Sequence, residues 1–156
     1  MPVYILQREQ RVAMPLEDCW RFFSDPNNLK KLTPPSLKFR VRSELPSEIH
    51  AGMMIRYTVS PLFGIPMTWV TEITQVRKPH YFADEQRVGP YRIWHHEHSF
   101  RAISERETEV RDLIHYAPPF GPFGAMINRL LVRRQLARIF EFRSKRLEEL
   151  ARDSSA

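Results

Sequence analysis

Hydrophobic and polar residues alternate along the middle of the chain, in short runs separated by proline and glycine. Alternation with a period of two is typical of strands that bury one face. The pattern predicts an opening strand over residues 3–13 and further strands at 37–45, 52–60, 67–77, 80–87, 91–103 and 107–116. The separators are short and contain residues such as Pro61, Gly64 and Pro79. We therefore expect neighbouring strands to pair antiparallel as a meander.

Two short helices are predicted after the opening strand. Pro15 suits the first position of a helix, which we expect over 16–23. A second short helix is expected over 27–32, and it ends before the Thr33-Pro34-Pro35 run because proline cannot continue a helix.

A long helix is predicted at the C-terminal end of the chain. After the proline- and glycine-rich stretch 118–124, neither residue type occurs again before Ala151. Apolar residues recur there at helical spacing: Val132, Leu136, Ile139, Phe140, Leu147 and Leu150. This pattern predicts an amphipathic helix that packs its apolar face against the sheet.

The strand predicted at 91–103 carries the main candidate chemistry. In the run Trp94-His95-His96-Glu97-His98-Ser99-Phe100, alternate side chains share a face, and the apolar Trp94 and Phe100 mark the inner one. His96 and His98 then point inward. Buried imidazoles need partners for their nitrogens, so this row implies a polar network, a metal ion, or a cavity in which a ligand supplies the partners.

Neighbouring strands add polar and aromatic residues to the same predicted surface. Alternation turns Asp112 inward on the last strand, and Asp84 and Gln86 share a face on the strand before the histidines. The predicted ligand-binding residues are Trp69, Asp84, Gln86, Trp94, His96, His98, Phe100, Asp112 and Tyr116. Polar groups set in an aromatic wall are the composition expected of a site for an amphipathic small molecule.

Two other interpretations of the histidine row stay open. The carboxylates could satisfy the imidazoles in a purely structural network. Alternatively, His96 and His98 could chelate zinc with Asp112 or Asp84 as third ligand, but two histidines fall short of a full ligand set. We therefore predict no metal and no cofactor, and we assign no catalytic residue.

Composition places these elements in one ordinary globular domain. The chain has 156 residues, 42% of them hydrophobic, which predicts a single domain over residues 1–151 and a tail at 152–156. The single Cys19 excludes an internal disulfide, and the first residues lack the apolar core of a signal peptide. We expect a cytoplasmic protein with no transmembrane segment, since no apolar run approaches ~20 residues.

The net charge of +6 does not by itself indicate nucleic-acid binding. Many of the basic residues fall in the predicted long helix, where glutamates interleave with them. Because no binding motif accompanies the charge, we interpret it as a solvated face and expect no nucleic-acid partner.

The order of elements resembles the START/Bet v1-like superfamily, also called SRPBCC, with its helix-grip fold. More narrowly, the chain looks like bacterial SRPBCC proteins of unassigned role, sometimes described as cell-division-inhibitor-like or ligand-binding. The motifs that carry the resemblance are Asp25-Pro26-Asn27-Asn28-Leu29, Leu32-Thr33-Pro34-Pro35, Ile65-Pro66-Met67-Thr68-Trp69, Phe82-Ala83-Asp84-Glu85-Gln86, Gly89-Pro90-Tyr91, the 94–100 row, Asp112-Leu113-Ile114-His115-Tyr116 and Pro119-Phe120-Gly121-Pro122-Phe123-Gly124.

The resemblance implies an α+β fold in which a curved antiparallel sheet of about seven strands wraps around the long C-terminal helix. It also implies a cavity between sheet and helix that binds a hydrophobic or amphipathic small molecule: a lipid, a polyketide or an aromatic compound. We expect a binding protein rather than an enzyme. The alternatives are a cyclase- or hydrolase-like enzyme that uses a His–Asp pair in the same cavity, and a protein without ligand whose polar cluster is structural. The oligomeric state stays open.

Overall fold

One antiparallel sheet of seven strands forms the framework of the protein. The computed structural model describes residues 1–61 and 63–154. The strands are β1 (Tyr4–Val12), β2 (Arg40–Val41), β3 (Met54–Val59), β4 (Met67–Arg77), β5 (Tyr81–Val88), β6 (Ile93–Ser104) and β7 (Glu107–Ala117). Their order across the sheet is β1-β7-β6-β5-β4-β3-β2. The histidine-bearing β6 therefore lies between β5 and β7.

Short helices connect the two edge strands of this sheet. They are α1 (Leu16–Ser24) and two 3₁₀ helices, Pro26–Leu32 and Pro35–Leu37. The carboxylate of Asp25 caps the first 3₁₀ helix by accepting a hydrogen bond from the backbone N–H of Asn27 at 2.9 Å. Because β1 and β2 lie at opposite edges, this connection must cross the sheet, and α1 packs against β6 on the way.

The C-terminal helix begins in short turns and continues as a long α-helix. A 3₁₀ turn (Gly121–Phe123), α2 (Gly124–Ile127) and a π-helical turn (Asn128–Val132) lead into α3 (Arg133–Ser154). The hydroxyl of Tyr116 donates to Oδ1 of Asn128 at 3.0 Å, which ties the π-helical turn to the end of β7. Positions 155 and 156 of the predicted tail lie outside the described residues. Across 1–61 and 63–154, no helix has the length and apolarity needed to span a membrane.

The core divides into an end covered by α1 and an end covered by α3. Trp20 of α1 meets Phe82 and Phe100 edge-on, with ring centroids 6.0 and 5.9 Å apart. At the other end, Leu136 and Phe140 of α3 pack in one cluster with Ile114, Tyr116 and Val132. The polar residues of the inner sheet face lie between the part packed against α1 and the part packed against α3.

The predicted helix-grip fold is confirmed, with two local differences. The strand predicted at 37–45 pairs only at Arg40–Val41, because Pro35–Leu37 forms a 3₁₀ turn and Lys38 follows it in the left-handed conformation, at φ 48°. The second short helix is 3₁₀ rather than α.

Candidate functional site

The register of three strands brings two histidines and two aspartates together on the inner face of the sheet. Asp84 on β5 pairs with His96 on β6, and His98 pairs with Asp112 on β7. Nε2 of His96 donates to Oδ1 of Asp112 at 2.8 Å. Nε2 of His98 donates to Oδ2 of Asp84 at 2.9 Å. The two imidazole rings lie side by side, with centroids 3.8 Å apart.

Each imidazole turns its second nitrogen toward the other carboxylate. Nδ1 of His98 lies 3.1 Å from Oδ1 of Asp112 but makes no hydrogen bond to any described residue. Nδ1 of His96 lies 3.9 Å from Oδ2 of Asp84. The two rings are therefore sandwiched between Asp84 on one side and Asp112 on the other. We call these four residues the His–Asp cluster.

Arg143 of α3 completes the cluster from the helix. Its Nη2 atom lies 3.5 Å from Oδ1 of Asp112, and its side chain is 11% exposed. The guanidinium also stacks over the rings of Phe23 and Phe140, at 5.4 and 5.6 Å from their centroids. The charge pattern of the sequence indicates a solvated face for this helix and does not single out Arg143. Its spacing from Leu136, Phe140 and Leu147 could have placed it on the buried stripe.

Both aspartates are held in their charged form. Burial raises the pKa of Asp112, but the positive charge of Arg143 and the adjoining imidazoles outweigh burial and hold it well below its ordinary value of 3.8. Burial also raises the pKa of Asp84, and the hydrogen bond from His98 with the charges of His96, His98 and Arg143 brings it below 3.8. Two buried carboxylates therefore remain ionised at neutral pH.

The two histidines respond to the cluster in opposite directions. Burial lowers the pKa of His98, but the carboxylates of Asp112 and Asp84 outweigh burial and raise it above 6.5. Burial lowers the pKa of His96, and the charge of His98 lowers it further, below 6.5. The carboxylates therefore make His98 easier to protonate than a free imidazole, whereas burial favours the neutral form of His96, with its proton on Nε2, toward Asp112.

A cavity of about 210 Å³ opens beside the His–Asp cluster. Of the predicted site residues, Trp69, Asp84, Trp94, His96 and His98 line it. Most of the other lining residues are apolar or aromatic. They come from α1, the 3₁₀ segments, the residue before β2, the strands β3, β4 and β5, and α3, and they include Phe23, Leu29, Phe39, Ile55, Tyr57, Ile73, Phe82, Leu136 and Ile139. The wall is thus largely apolar, with a charged group at one side.

The other predicted site residues lie behind this wall or at its end. The side chain of Gln86 stabilises the turn between β5 and β6. Its amide N–H donates to the carbonyl of Tyr91 at 2.7 Å, and its amide oxygen accepts from the Tyr91 N–H at 3.2 Å. Phe100 packs beneath α1. Asp112 stands behind the histidines, and Tyr116 bonds to Asn128. These four residues do not line the cavity.

Thr71 is a lining residue that sequence analysis missed. Its hydroxyl oxygen accepts a hydrogen bond from Nε1 of Trp69 at 3.1 Å and lies 3.3 Å from the hydroxyl of Tyr57. Burial raises the pKa of Tyr57, which keeps the phenol neutral. The alternation of β4 could have found Thr71, because it shares a face with Trp69 and Ile73.

One part of the cluster has the composition of a metal site. Asp84, His96 and His98 each offer a ligand atom, and these atoms lie within 4.8 Å of one another. Imidazole nitrogen together with carboxylate oxygen is a donor set suited to zinc and ferrous iron.

The chain belongs to the polyketide cyclase/dehydrase and lipid transport family, whose model matches residues 12–142. This agrees with the resemblance to the START/Bet v1-like superfamily found in the sequence. No curated protein matches the chain.

Several solved structures share the fold. The Zhui aromatase/cyclase from Streptomyces sp. R1128 is 14% identical with a TM-score of 0.78, over 99% of this chain and 97% of that one. A START superfamily protein from Mycobacterium smegmatis is 13% identical with a TM-score of 0.72, over 96% and 97%. A norcoclaurine synthase variant from Thalictrum flavum is 14% identical with a TM-score of 0.70, over 99% and 98%. At these identities the likeness concerns the fold alone.

Proposed function

We propose that this protein binds a small, largely apolar molecule bearing one polar group, in the cavity beside the His–Asp cluster. The observation that carries the proposal is an aromatic cavity with a charged pair, His98 and Asp84, set into its wall. Trp69 and Trp94 meet edge-on in that wall with centroids 5.4 Å apart. The family's description as lipid transport and polyketide cyclase agrees with such a ligand.

The size of the cavity favours a compact ligand. Its volume of about 210 Å³ lies below the ~300–1,000 Å³ of most drug-sized sites. A fused bicyclic aromatic compound suits this volume. A two-chain lipid would require the helix to move away from the sheet.

The polar side of the cavity favours a ligand with a hydroxyl or carbonyl group. Asp84 can accept a hydrogen bond, and the imidazolium of His98 and the guanidinium of Arg143 can donate one. An apolar ligand would cover these groups without replacing their water. That loss of hydration is unfavourable, so the ligand's polar group should contribute to affinity as well as orientation.

Two probes that differ by one hydroxyl test this proposal. We expect 2-naphthol to bind one per chain, measured by calorimetry and by quenching of Trp69 and Trp94. Naphthalene should bind at least about tenfold more weakly, because a hydrogen bond to a charged group contributes ~1.5–3 kcal/mol. Mass spectrometry of an organic extract of the purified protein would then look for a natural ligand of the same kind.

A pair of tryptophan substitutions separates the cavity from the rest of the surface. Ile139→Trp fills the cavity from α3, since Ile139 is half-buried and lines it. Leu113→Trp is the control, because Leu113 is also half-buried but stands outside the cavity wall. Binding should be lost only in the first variant. Absence of saturable binding in the wild type, or equal binding by both variants, would favour a purely structural role for the His–Asp cluster.

A second candidate function is acid–base catalysis on a carbonyl compound. It is favoured by the opposite pKa shifts of His98 and His96, since groups displaced in opposite directions suit the roles of acid and base. In this mechanism Nδ1 of His96 takes a proton from the carbon next to the carbonyl. Nε2 of His98 donates its proton to the oxygen as the enol forms, and reversal of both steps restores the enzyme.

Deuterium exchange into 2-tetralone tests this activity without knowledge of the natural substrate. We expect the protein in D₂O to accelerate exchange by about 10²–10⁴-fold over buffer, followed by NMR. His96→Gln should abolish the acceleration, and His95→Gln, on the outer face of β6, should leave it unchanged. Equal rates with His96→Gln and wild type would exclude this role of His96 while leaving the binding proposal intact.

A further inference from the structure

The geometry of the His–Asp cluster resembles a metal-binding triad with its supporting carboxylate. Oδ2 of Asp84 lies 2.9 Å from Nε2 of His98 and 3.9 Å from Nδ1 of His96. A tetrahedral ion with bonds of ~2.0–2.1 Å holds its ligand atoms about 3.3 Å apart. The two distances from Asp84 are within about 0.6 Å of that spacing, and all three ligand atoms lie within 4.8 Å of one another. Side-chain movements of up to about 1.5 Å would therefore bring these atoms to a common ion.

Asp112 occupies the position of an outer carboxylate that orients both imidazoles. Its Oδ1 atom lies 2.8 Å from Nε2 of His96 and 3.1 Å from Nδ1 of His98, the two nitrogens that face away from Asp84. A ligating histidine almost always donates its other N–H to such a group. A metal ion would displace the Nε2 proton that His98 donates to Asp84 in the metal-free protein. With the remaining imidazole protons on the Asp112 side, the lone pairs of His96 Nδ1 and His98 Nε2 would both face Asp84.

The charges and the position of the triad also suit a divalent cation. With neutral imidazoles, Asp84 and Asp112 carry two negative charges and Arg143 one positive charge, so the site is net negative. Asp84, His96 and His98 all line the cavity, whereas Asp112 does not. An ion bound to the triad would keep a coordination position directed at the cavity, where a ligand oxygen or water could complete it.

We propose that Asp84, His96 and His98 form a binding site for one divalent transition-metal ion, zinc or ferrous iron, with Asp112 as its outer carboxylate. This reverses the expectation from sequence, which counted two histidines and left the third ligand undecided between Asp84 and Asp112. The structure separates those two aspartates, because Asp84 faces the cavity and Asp112 faces Arg143. The proposal does not depend on the identity of any organic ligand.

Titration of the metal-free protein with Zn²⁺ or Co²⁺ alone tests the site. Calorimetry should show one Zn²⁺ per chain, and Co²⁺ should develop the visible absorption of a four- or five-coordinate ion with nitrogen ligands. Asp84→Asn and His96→Gln should each weaken binding by at least about 100-fold, and Asp112→Asn by about 10–100-fold. Circular dichroism would establish that each variant is folded.

His95→Gln is the matched control. His95 lies between Glu85 and Glu97 on the other face of the same strand, with its ring nitrogens 3.1 and 3.3 Å from their carboxylates. Its replacement detects any non-specific metal binding by a surface histidine and its carboxylates. This variant should bind as the wild type does. The proposal is wrong if folded wild type shows no stoichiometric binding at millimolar metal, if Asp84→Asn binds unchanged, or if His95→Gln abolishes binding. Because the probe is the metal alone, such a failure leaves the binding of 2-naphthol as a separate question.

Discussion

The two faces of β6 pair histidine with carboxylates in very different surroundings. On the outer face, His95 contacts Glu85 at 3.1 Å and its side chain is 30% exposed. On the inner face, His96 contacts Asp112 at 2.8 Å and His98 contacts Asp84 at 2.9 Å, with only 7% and 6% of the histidine side chains exposed. The contact distances are similar, so burial is the main difference between the two faces.

Burial changes what each pair does for the protein. Water and salt screen the outer charges, and each outer partner can be rehydrated when the other is removed. Water cannot replace a missing partner for the inner charges. Removal of one charge therefore destabilises its neighbours in the set formed by Asp84, Asp112, His98 and Arg143. We therefore expect the inner cluster to control stability, its pH dependence and binding, and the outer pairs to have little effect.

The largest effect should come from removal of Asp112. Asp112→Ala leaves Arg143 and the histidines without their common partner, and we expect it to lower the free energy of unfolding by about 3–5 kcal/mol. Glu97→Ala on the outer face should cost under ~1 kcal/mol. Urea denaturation measures both. Similar losses in the two variants would show that burial does not distinguish the faces.

Acid should unfold the protein through the same aspartates. The pKa values of Asp84 and Asp112 are lowered in the folded state, so they stabilise it above pH ~3.8, and this contribution is lost as pH falls through their folded values. Each pKa unit of lowering corresponds to ~1.4 kcal/mol. Denaturation between pH 6 and 2 should therefore show a steeper acid loss in wild type than in Asp112→Asn. Glu85→Gln, on the outer face, should retain the wild-type slope.

The histidines should set the stability near neutral pH. The pKa of His98 is raised, so its contribution is complete below pH 6.5 and is lost as pH rises through the folded value. The pKa of His96 is lowered, so protonation of the unfolded state reduces stability as pH falls below 6.5. Together these two shifts predict that the free energy of unfolding is largest near pH 6.5.

His98→Gln tests the upper side of this maximum. The variant should lose the decline in melting temperature that the wild type shows above pH 6.5. NMR titration of the imidazoles should place His98 above 6.5 and His96 below it. The reverse order would contradict the charge assignment of the cluster.

The smallest effect should come from His95. We expect His95→Gln to change the free energy of unfolding by no more than about 0.5 kcal/mol, because its partners are partly solvated. Thermal denaturation at low and high salt measures this change. A loss above about 2 kcal/mol would show that the outer pairs stabilise the fold as strongly as the inner ones.

Local patterns were sufficient for most of the fold. The alternation of 91–103 predicted which side of β6 carries His96 and His98, and both are buried there. The strand predicted at 37–45 was overestimated, since alternation does not show whether a partner strand is available. Only Arg40 and Val41 pair with β3 as a regular strand. Beyond them the contact continues through single hydrogen bonds, such as that from the Arg42 N–H to the carbonyl of Arg56 at 2.8 Å.

The sequence by itself determined the order of elements and the face on which each strand residue lies, because both depend on backbone geometry within a few residues. It could not decide which inward residues border the cavity. Phe100 is covered by Trp20 and Phe23 of α1, whereas Trp94 and His98 line the cavity. Nor could it bring Arg143 to Asp112, since that contact joins α3 to the middle of the sheet. Tertiary packing decided the site, because burial and charge pairing between distant segments exist only once helix and sheet have met.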